Sequence, residues 1–225
     1  LAGRPDLVGR CQLNTVITNF FNAGGYAMLH ASCLVQSSRA LLLMAPHNTG
    51  KSTTPLRLVL GGYRLLSDSM VFVPPRSDSI HLYGFPVGRI KLRQDALAAF
   101  PELKPFLEME RVRGEKKYSI DLRQFDASLV YEEEFSPTTI DVCLLTRHNH
   151  RKSTLKAITR TAILQDAMLN SLFYDTRATW RRNWATIERL VDSARWFRLR
   201  IGADPEGILE TVTTLGEDTE AAPTG

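Results

Sequence analysis

The chain has 225 residues, of which 44% are hydrophobic and 23% charged, and its formal net charge is +4. This is the composition of an ordinary globular protein, and no apolar run approaches the ~20 residues that cross a bilayer, which argues against a membrane protein. The basic residues are scattered and form no aromatic-basic stripe, which argues against a nucleic-acid binder. Cys11, Cys33 and Cys143 are widely spaced, so we expect free thiols and a reducing compartment, the cytoplasm.

The residues before position 45 predict three strands. Loose alternation predicts a strand over residues 11–20, and a turn signal follows at residues 22–25. Two apolar runs, at residues 26–35 and 39–44, flank a short polar turn and predict a hairpin. The second run is almost all leucine, which is typical of a strand buried on both faces.

From Ser52 onward helices and strands interleave, which is the pattern of an α/β protein with a central sheet. A helix is predicted over residues 52–60 and is closed by Gly61-Gly62. Strands are predicted at residues 63–66, 70–73, 79–83, 118–122, 139–146, 154–158 and 196–201. Helices are predicted at residues 94–100, 161–174, 179–194 and 205–212, with a surface excursion at residues 101–117. We expect one domain over residues 1–215 and a disordered acidic tail over residues 216–225.

Between the leucine-rich strand and the first predicted helix lies a candidate phosphate loop, Ala45-Pro46-His47-Asn48-Thr49-Gly50-Lys51-Ser52. The P-loop (Walker A) pattern is Gly, four residues and Gly-Lys-Ser/Thr, and the loop matches its last three positions. In that motif, backbone N–H groups and the positive end of the following helix bind phosphate oxygens. Lys51 then contacts the β- and γ-phosphates, and Ser52 a magnesium ion. We therefore expect ATP with Mg²⁺, and phosphate contacts from His47, Asn48, Thr49, Gly50, Lys51, Ser52 and Thr53.

A nucleotide enzyme also needs a carboxylate for magnesium or for activating the acceptor. Asp68 follows the predicted strand at residues 63–66, which returns the chain to the sheet edge that carries the phosphate loop. His30 lies in the strand region before the loop, and its side chain either approaches the phosphates or packs in the core. Further positive charge is expected from Arg89 and Lys91, which share one face of an extended segment.

A basic turn is expected at residues 147–152, where Arg147, His148, His150 and Arg151 follow a strongly β-forming run. Its two histidines are spaced as a metal pair, but no cysteine or carboxylate lies nearby in the sequence. We interpret the segment as a basic surface turn.

Together these motifs resemble the C-terminal domain of the HPr kinase/phosphorylase family, whose fold is related to that of phosphoenolpyruvate carboxykinase. The similarity lies in Leu29-His30-Ala31, in Gly50-Lys51-Ser52-Thr53 and in Gly61-Gly62-Tyr63-Arg64-Leu65-Leu66-Ser67-Asp68. It covers most of residues 26–92, with a fainter match at residues 196–200. The resemblance implies a mixed central sheet with a P-loop, and transfer of the γ-phosphoryl group of ATP to a serine hydroxyl.

The resemblance also implies roles for single residues. The position matching Asp68 is the general base toward the acceptor, and the one matching His30 lines the phosphate site, so both are expected to be catalytic. Ser52 and Asp68 are the implied magnesium ligands. Three features depart from the family pattern. Ala45 stands where the loop usually begins with Gly, Ser69 stands where a second acid is usual, and Pro46-His47-Asn48 stand inside the loop where small residues are more usual. Ala45 costs little if its backbone is extended, but about 1 kcal/mol or more if the position requires a positive φ.

The sequence therefore predicts an ATP-dependent serine kinase whose acceptor hydroxyl belongs to a peptide, a carrier protein or a small molecule. Two alternatives stay open. One is a non-catalytic nucleotide-binding or sensing protein, which Ala45 and Ser69 favour, and the other is a phosphorylase that removes phosphate from phosphoserine. We expect no nucleic-acid or membrane partner, and we leave open whether the chain forms a homo-oligomer.

Overall fold

The computed structural model of the chain describes residues 13–45, 49–75, 78–112, 115–159, 176–204 and 206–217. Its α-helices are α1 Leu13–Ala23, α2 Thr53–Leu60, α3 Leu122–Phe125, α4 Arg177–Ser193 and α5 Gly207–Glu217. Its strands are β1 Ala27–Leu29, β2 Ala31–Gln36, β3 Arg39–Met44, β4 Arg64–Ser67, β5 Met70–Val73, β6 Tyr83–Phe85, β7 Arg89–Arg93, β8 Glu108–Val112, β9 Glu115–Asp121, β10 Thr139–Arg147, β11 Thr154–Ala157 and β12 Arg195–Ile201. Short 3₁₀ helices occupy Gln94–Ala99, Pro101–Phe106 and Ala127–Leu129. None of the helices in these ranges has the length and apolar character needed to cross a bilayer.

A six-stranded mixed sheet forms the centre of the fold, in the order β11-β12-β10-β3-β2-β4. β10 pairs in parallel with β3 on one side and with β12 on the other. β2 is antiparallel to both β3 and β4, and β11 is antiparallel to β12. This arrangement makes β3, β4, β10 and β12 end at one edge of the sheet, the same edge at which β2 begins. We call this edge the carboxyl edge.

The leucines of β3 explain why this strand is central. Successive side chains of a strand point to opposite faces, and both faces of β3 are buried. Leu42 and Met44 join a hydrophobic cluster that includes Ile187 and Leu190 of α4. Leu41 and Leu43 join a second cluster, which contains apolar residues of α2 and α5.

Two small antiparallel sheets flank the central one. One has the order β1-β5-β6, and Ala27, Leu29, Val71 and Val73 from it belong to the same hydrophobic cluster as residues of α4. The other has the order β7-β9-β8, and Ile90, Leu92 and Ile120 from it pack into the cluster that contains α2 and α5. Both small sheets therefore add to the two cores on either side of the central sheet.

The mixed α/β class with a central sheet is confirmed, and so is the hairpin of β2 and β3. The first predicted helix is found as α2, with Pro55 in its first turn, where a proline removes no intrahelical hydrogen bond. The predicted strands at residues 70–73, 139–146, 154–158 and 196–201 are found with end shifts of one residue or none. The helix predicted at residues 179–194 is α4.

Other predictions were wrong. Residues 11–20 were expected to form a strand, but the structure has a helix, α1, over Leu13–Ala23. Its apolar residues recur with the three- and four-residue spacing of a helix rather than in alternation. The single apolar run at residues 26–35 is two strands, β1 and β2, which separate at His30 into different sheets. The strand predicted at residues 79–83 begins only at Tyr83.

For the charged segment at residues 101–117, the sequence predicted a surface excursion and no regular element. That segment contains a 3₁₀ helix and the paired strands β8 and β9. The helix predicted at residues 161–174 and Pro205 of the last predicted helix lie outside the described residues. α5 continues to Glu217, and the rest of the predicted tail lies outside as well. Cys33 and Cys143 are buried free thiols, as expected.

Candidate functional site

The candidate site lies at the carboxyl edge of the central sheet. The candidate phosphate loop follows β3, Asp68 follows β4, and the basic turn follows β10. His30 precedes β2, whose register pairs Ala31 with Met44 and Cys33 with Ser67. Segments that are far apart in the sequence therefore meet at one edge, which is where ligands bind in many α/β proteins.

The described part of the phosphate loop makes a tight turn into α2. Gly50 has a φ of 91°, in the left-handed region that favours glycine. The amide of Thr54 donates to the carbonyl of Gly50 at 2.9 Å, and the hydroxyl of Thr53 donates to the same carbonyl at 3.2 Å. His47 and Asn48 lie outside the described residues, so their phosphate contacts stay predictions.

Ala45 occupies the position at which the P-loop pattern has its first glycine. Among the described residues other than glycine, a positive φ occurs at Ser37 and not at Ala45. Ala45 is 6% exposed and belongs to the hydrophobic cluster that contains α2. The substitution therefore imposes no left-handed strain on the loop.

Asp68 is the buried carboxyl of the site, with 4% of its surface exposed. The hydroxyl of Ser32 donates to Oδ1 of Asp68 at 2.9 Å, and the Ser32 oxygen also lies 3.3 Å from the carbonyl oxygens of Lys51 and Asp68. The hydroxyl of Ser52 and the backbone N–H of Lys91 also bond to the Asp68 carboxyl. Ser52 consequently makes no side-chain capping bond to the helix that it precedes.

Burial raises the pKa of Asp68 to about 7, because the charged carboxylate loses its hydration. The hydrogen bonds from Ser32 and Ser52, the charge of Lys51 and the Lys91 N–H all act in the opposite direction. The carboxyl is thereby poised to gain or lose a proton near neutral pH, as a general base requires.

Lys51 is half-buried beside this carboxyl. Burial lowers the pKa of Lys51 to about 8, and the nearby Asp68 opposes that shift. An anionic ligand beside Lys51 would favour the charged ammonium for the same electrostatic reason. Lys51 and Asp68 together provide a cation that can bind a phosphate and a carboxyl that can gain or lose a proton.

Two serines that the sequence did not single out hold Asp68 in place. Ser32 is fully buried, and Ser67 Oγ donates to the carbonyl of Phe85 at 3.1 Å. Ser67 Oγ also accepts the N–H groups of Ser69 and Met70, each at 3.3 Å, and so fixes the turn that presents Asp68. The signal in the sequence was a serine inside each of two apolar runs, since a buried hydroxyl needs a hydrogen-bonding partner.

The remaining predicted site residues are less closely tied to Asp68. Arg89 and Lys91 lie on one face of β7, as expected. Arg89 bonds to Glu108 at 3.3 Å within its own sheet, whereas Lys91 reaches Asp68 through its backbone and has an exposed side chain. His30 is half-buried at the carboxyl edge, and its catalytic role stays a prediction.

The oxygen donors of Ser52 and Asp68 fit a magnesium ion. Mg²⁺ prefers hard oxygen ligands and usually takes one or two carboxylates, with phosphate oxygens and waters filling the other positions. Because the Ser52 hydroxyl and the Asp68 carboxyl are already in contact, both can reach one ion. Among the residues in the described ranges, no three His, Cys, Asp or Glu side chains gather as a protein-only metal site.

The basic turn at residues 147–152 packs against the end of β12. The backbone N–H of His148 donates to the carbonyl of Ile201 at 3.2 Å, and that of Ala203 to the carbonyl of His150 at 3.0 Å. Gly202 is required at this contact, because a Cβ there would lie 2.4 Å from the carbonyl oxygen of Arg151. The turn is thereby fixed at the carboxyl edge.

No protein-family model and no curated protein matches the chain. Among solved structures, the chain is similar to the Hpr(Ser) kinase/phosphatase from Coxiella burnetii, with a TM-score of 0.42 and 11% sequence identity. The similarity covers 86% of this chain and 97% of the other chain. A likeness at this TM-score carries no functional conclusion.

Proposed function

We propose that the chain transfers the γ-phosphoryl group of ATP to a hydroxyl of a peptide, a carrier protein or a small molecule. The observation that carries the proposal is the contact among Lys51, Ser52 and Asp68 at the carboxyl edge. A cation, a hydroxyl at the beginning of a helix and a titratable carboxyl are the groups that phosphoryl transfer uses.

In the proposed reaction, Asp68 acts in its deprotonated form. The acceptor oxygen attacks the γ-phosphorus, its proton passes to the Asp68 carboxylate, and the β–γ bridging oxygen leaves with ADP. Lys51 and the amide groups of the phosphate loop bind the phosphate oxygens, which places the γ-phosphorus in line between the attacking and leaving oxygens. A magnesium ion held by Ser52 and Asp68 would supply charge neutralisation on the phosphates.

The pKa of Asp68 favours transfer over simple nucleotide binding. A fully buried carboxyl beside phosphates is unfavourable for affinity, because like charges repel. A protein that only binds the nucleotide could use such a carboxyl as a Mg²⁺ ligand, but a pKa near 7 is matched to a base that acts at neutral pH.

The proposal is tested by incubating the protein with Mg²⁺, γ-labelled ATP and a degenerate peptide library that contains serine, threonine and tyrosine. Transfer to water is measured beside transfer to the peptides, and ATP binding is measured by calorimetry. We expect Asp68→Asn to retain ATP binding and to lose about 10²–10⁴-fold in transfer rate, the usual contribution of a general base. We expect Lys51→Ala to lose ATP binding.

The matched control is Lys104→Ala, because Lys104 is an exposed lysine of a 3₁₀ helix. It should bind and transfer as the wild type does. Undiminished transfer in Asp68→Asn would remove Asp68 from the mechanism. ATP binding without transfer to any acceptor would instead support the non-catalytic nucleotide-binding alternative.

A further inference from the structure

His148 in the basic turn carries a buried hydrogen-bond donor whose partner is missing. Its Nδ1 accepts the backbone N–H of His150 at 3.2 Å, so in the neutral ring the proton lies on Nε2. Nε2 is buried, and none of the described residues accepts a hydrogen bond from it. An unpaired buried donor is destabilising, and such groups deserve a functional explanation.

The tautomer of the His148 ring decides which kind of ligand atom Nε2 can bind. A metal ion would need the lone pair of Nε2, but that nitrogen carries the proton because Nδ1 is occupied as an acceptor. The metal pair considered from the spacing of His148 and His150 therefore does not fit. A ligand atom that accepts a hydrogen bond does fit.

The basic turn is close to the phosphate loop. His148 bonds to the carbonyl of Ile201, and a Cβ placed on Gly50 would lie 3.4 Å from Cδ1 of Ile201. One residue, Ile201, therefore separates the turn from the glycine of the phosphate loop.

The strand order gives the direction in which a nucleotide would extend. Asp68 follows β4, on one side of β3, and the basic turn follows β10, on the other side. In phosphoryl transfer the attacking and leaving oxygens are roughly in line. With the acceptor beside Asp68, the leaving diphosphate and its nucleoside point toward β10.

We propose that the nucleoside base lies against the basic turn, where Nε2 of His148 donates to a ring nitrogen or carbonyl oxygen of the base. This inference rests on the proposed function. The ring of His150 lies beside that of His148, with 5.0 Å between centroids and a tilt of 52°. His150 is exposed, so its side chain can turn aside to admit the base and then stack on it.

The test compares ATP with inorganic tripolyphosphate, which has the phosphates but no base. Both are titrated by calorimetry in the presence of Mg²⁺ into the wild type and into His148→Ala, His148→Gln, His150→Ala and Asn149→Ala. We expect His148→Ala and His150→Ala to weaken ATP binding about tenfold, as for the loss of one hydrogen bond or one stacked ring, and to leave tripolyphosphate binding unchanged. His148→Gln keeps an N–H donor and should lose less affinity.

Asn149→Ala is the matched control, because Asn149 is the exposed residue between the two histidines. It should bind both ligands as the wild type does. Equal losses for ATP and tripolyphosphate, or unchanged ATP binding in both histidine-to-alanine variants, would overturn the inference and leave the proposed function standing. Failure of the wild type to bind either ligand would overturn both. If His148→Ala does not fold, the comparison of ATP with tripolyphosphate binding in His150→Ala tests the inference.

Discussion

At the scale of single residues, Asp68 ties the pH dependence of stability to the proposed chemistry. Its pKa is about 7 in the folded chain, well above the ordinary value of 3.8. Between about pH 4 and pH 7 the folded state therefore holds a proton that the unfolded state releases, so the free energy of unfolding falls as pH rises through this window. We expect a fall of at most about 1.4 kcal/mol per pH unit, which Asp68→Asn removes. Urea unfolding, monitored by tryptophan fluorescence from pH 4.5 to 8, measures this fall in the free energy of unfolding.

Two further variants test whether Asp68 causes this pH dependence of the free energy of unfolding. Ser32→Ala removes a hydrogen bond to the charged carboxylate, so the falling region should extend to higher pH. Asp95→Asn changes an exposed aspartate and should keep the wild-type profile. Identical profiles for the wild type and Asp68→Asn would contradict the raised pKa of Asp68.

The sequence predicted Asp68 and Lys51 because their spacing and flanking patterns follow a known motif. It did not predict Ser32, since a serine in an apolar strand does not reveal which partner its hydroxyl meets. The sequence also did not predict the hydrogen bond from Lys91 to Asp68. Lys91 was selected for the charge of its side chain, but the bond is made by its backbone N–H.

At the scale of elements, the close approach of β6 to β4 supports the turn that carries Asp68. A Cβ on Gly84 would lie 2.1 Å from the carbonyl oxygen of Leu66, which is backbone and cannot turn aside. Gly84→Ala should therefore push β6 away from β4 and destabilise the protein by about 1–3 kcal/mol, as overpacking does. Thermal unfolding should show a midpoint lower by about 2–4 °C for each kcal/mol.

Gly207→Ala is the control, because nothing lies within 4 Å of the added Cβ at the beginning of α5. It should leave the midpoint unchanged or raise it slightly. An equal midpoint for the two variants would contradict the tight β4–β6 contact.

Elements with one dominant pattern were predictable from the sequence, and others were not. β3 and β10 are apolar enough for their positions in the sheet to be recognised. α1 was mistaken for a strand because a short apolar segment satisfies both periods loosely. β9 was predicted only in its second half, at residues 118–122, and β8 was missed, because the charged run at residues 108–117 has too few apolar residues to show a strand period.

At the scale of the whole molecule, a buried ion network joins the sheet to the last helix. Asp141 of β10 is fully buried and accepts two bonds from Arg195 of β12, at 2.7 and 3.0 Å, while Arg39 of β3 lies 3.7 Å away. Arg195 also donates to the carbonyl of Leu215 in α5 at 3.1 Å. One carboxylate therefore connects four elements at the edge opposite the candidate site.

We expect Asp141→Asn to destabilise the protein by about 3 kcal/mol, the lower end for breaking a buried pair, because Arg39 and Arg195 are partly exposed. Urea denaturation at pH 7 measures the change. Glu133→Gln is the surface control, since Glu133 is exposed, and should change stability little. A loss no greater than that of the control would show that the network does not hold the sheet and α5 together.

The interleaving of helices and strands sufficed to predict the α/β class, but not the strand order. That order depends on which strands meet after folding, and β3 meets β10, which lies far along the chain. Because of this order, Ile201 contacts both the basic turn and the phosphate loop. No local sequence pattern indicates that contact.

The parallel pairing of β3 with β10 also has a consequence for biosynthesis. Arg39 pairs with Thr139, so the leucine-rich edge of β3 leaves the ribosome well before its partner strand is made. At about 5–20 residues per second, that interval lasts roughly 5–20 s. During it the nascent hairpin presents an apolar edge that another chain can join. Translation speed and chaperone supply should therefore affect the yield of folded protein.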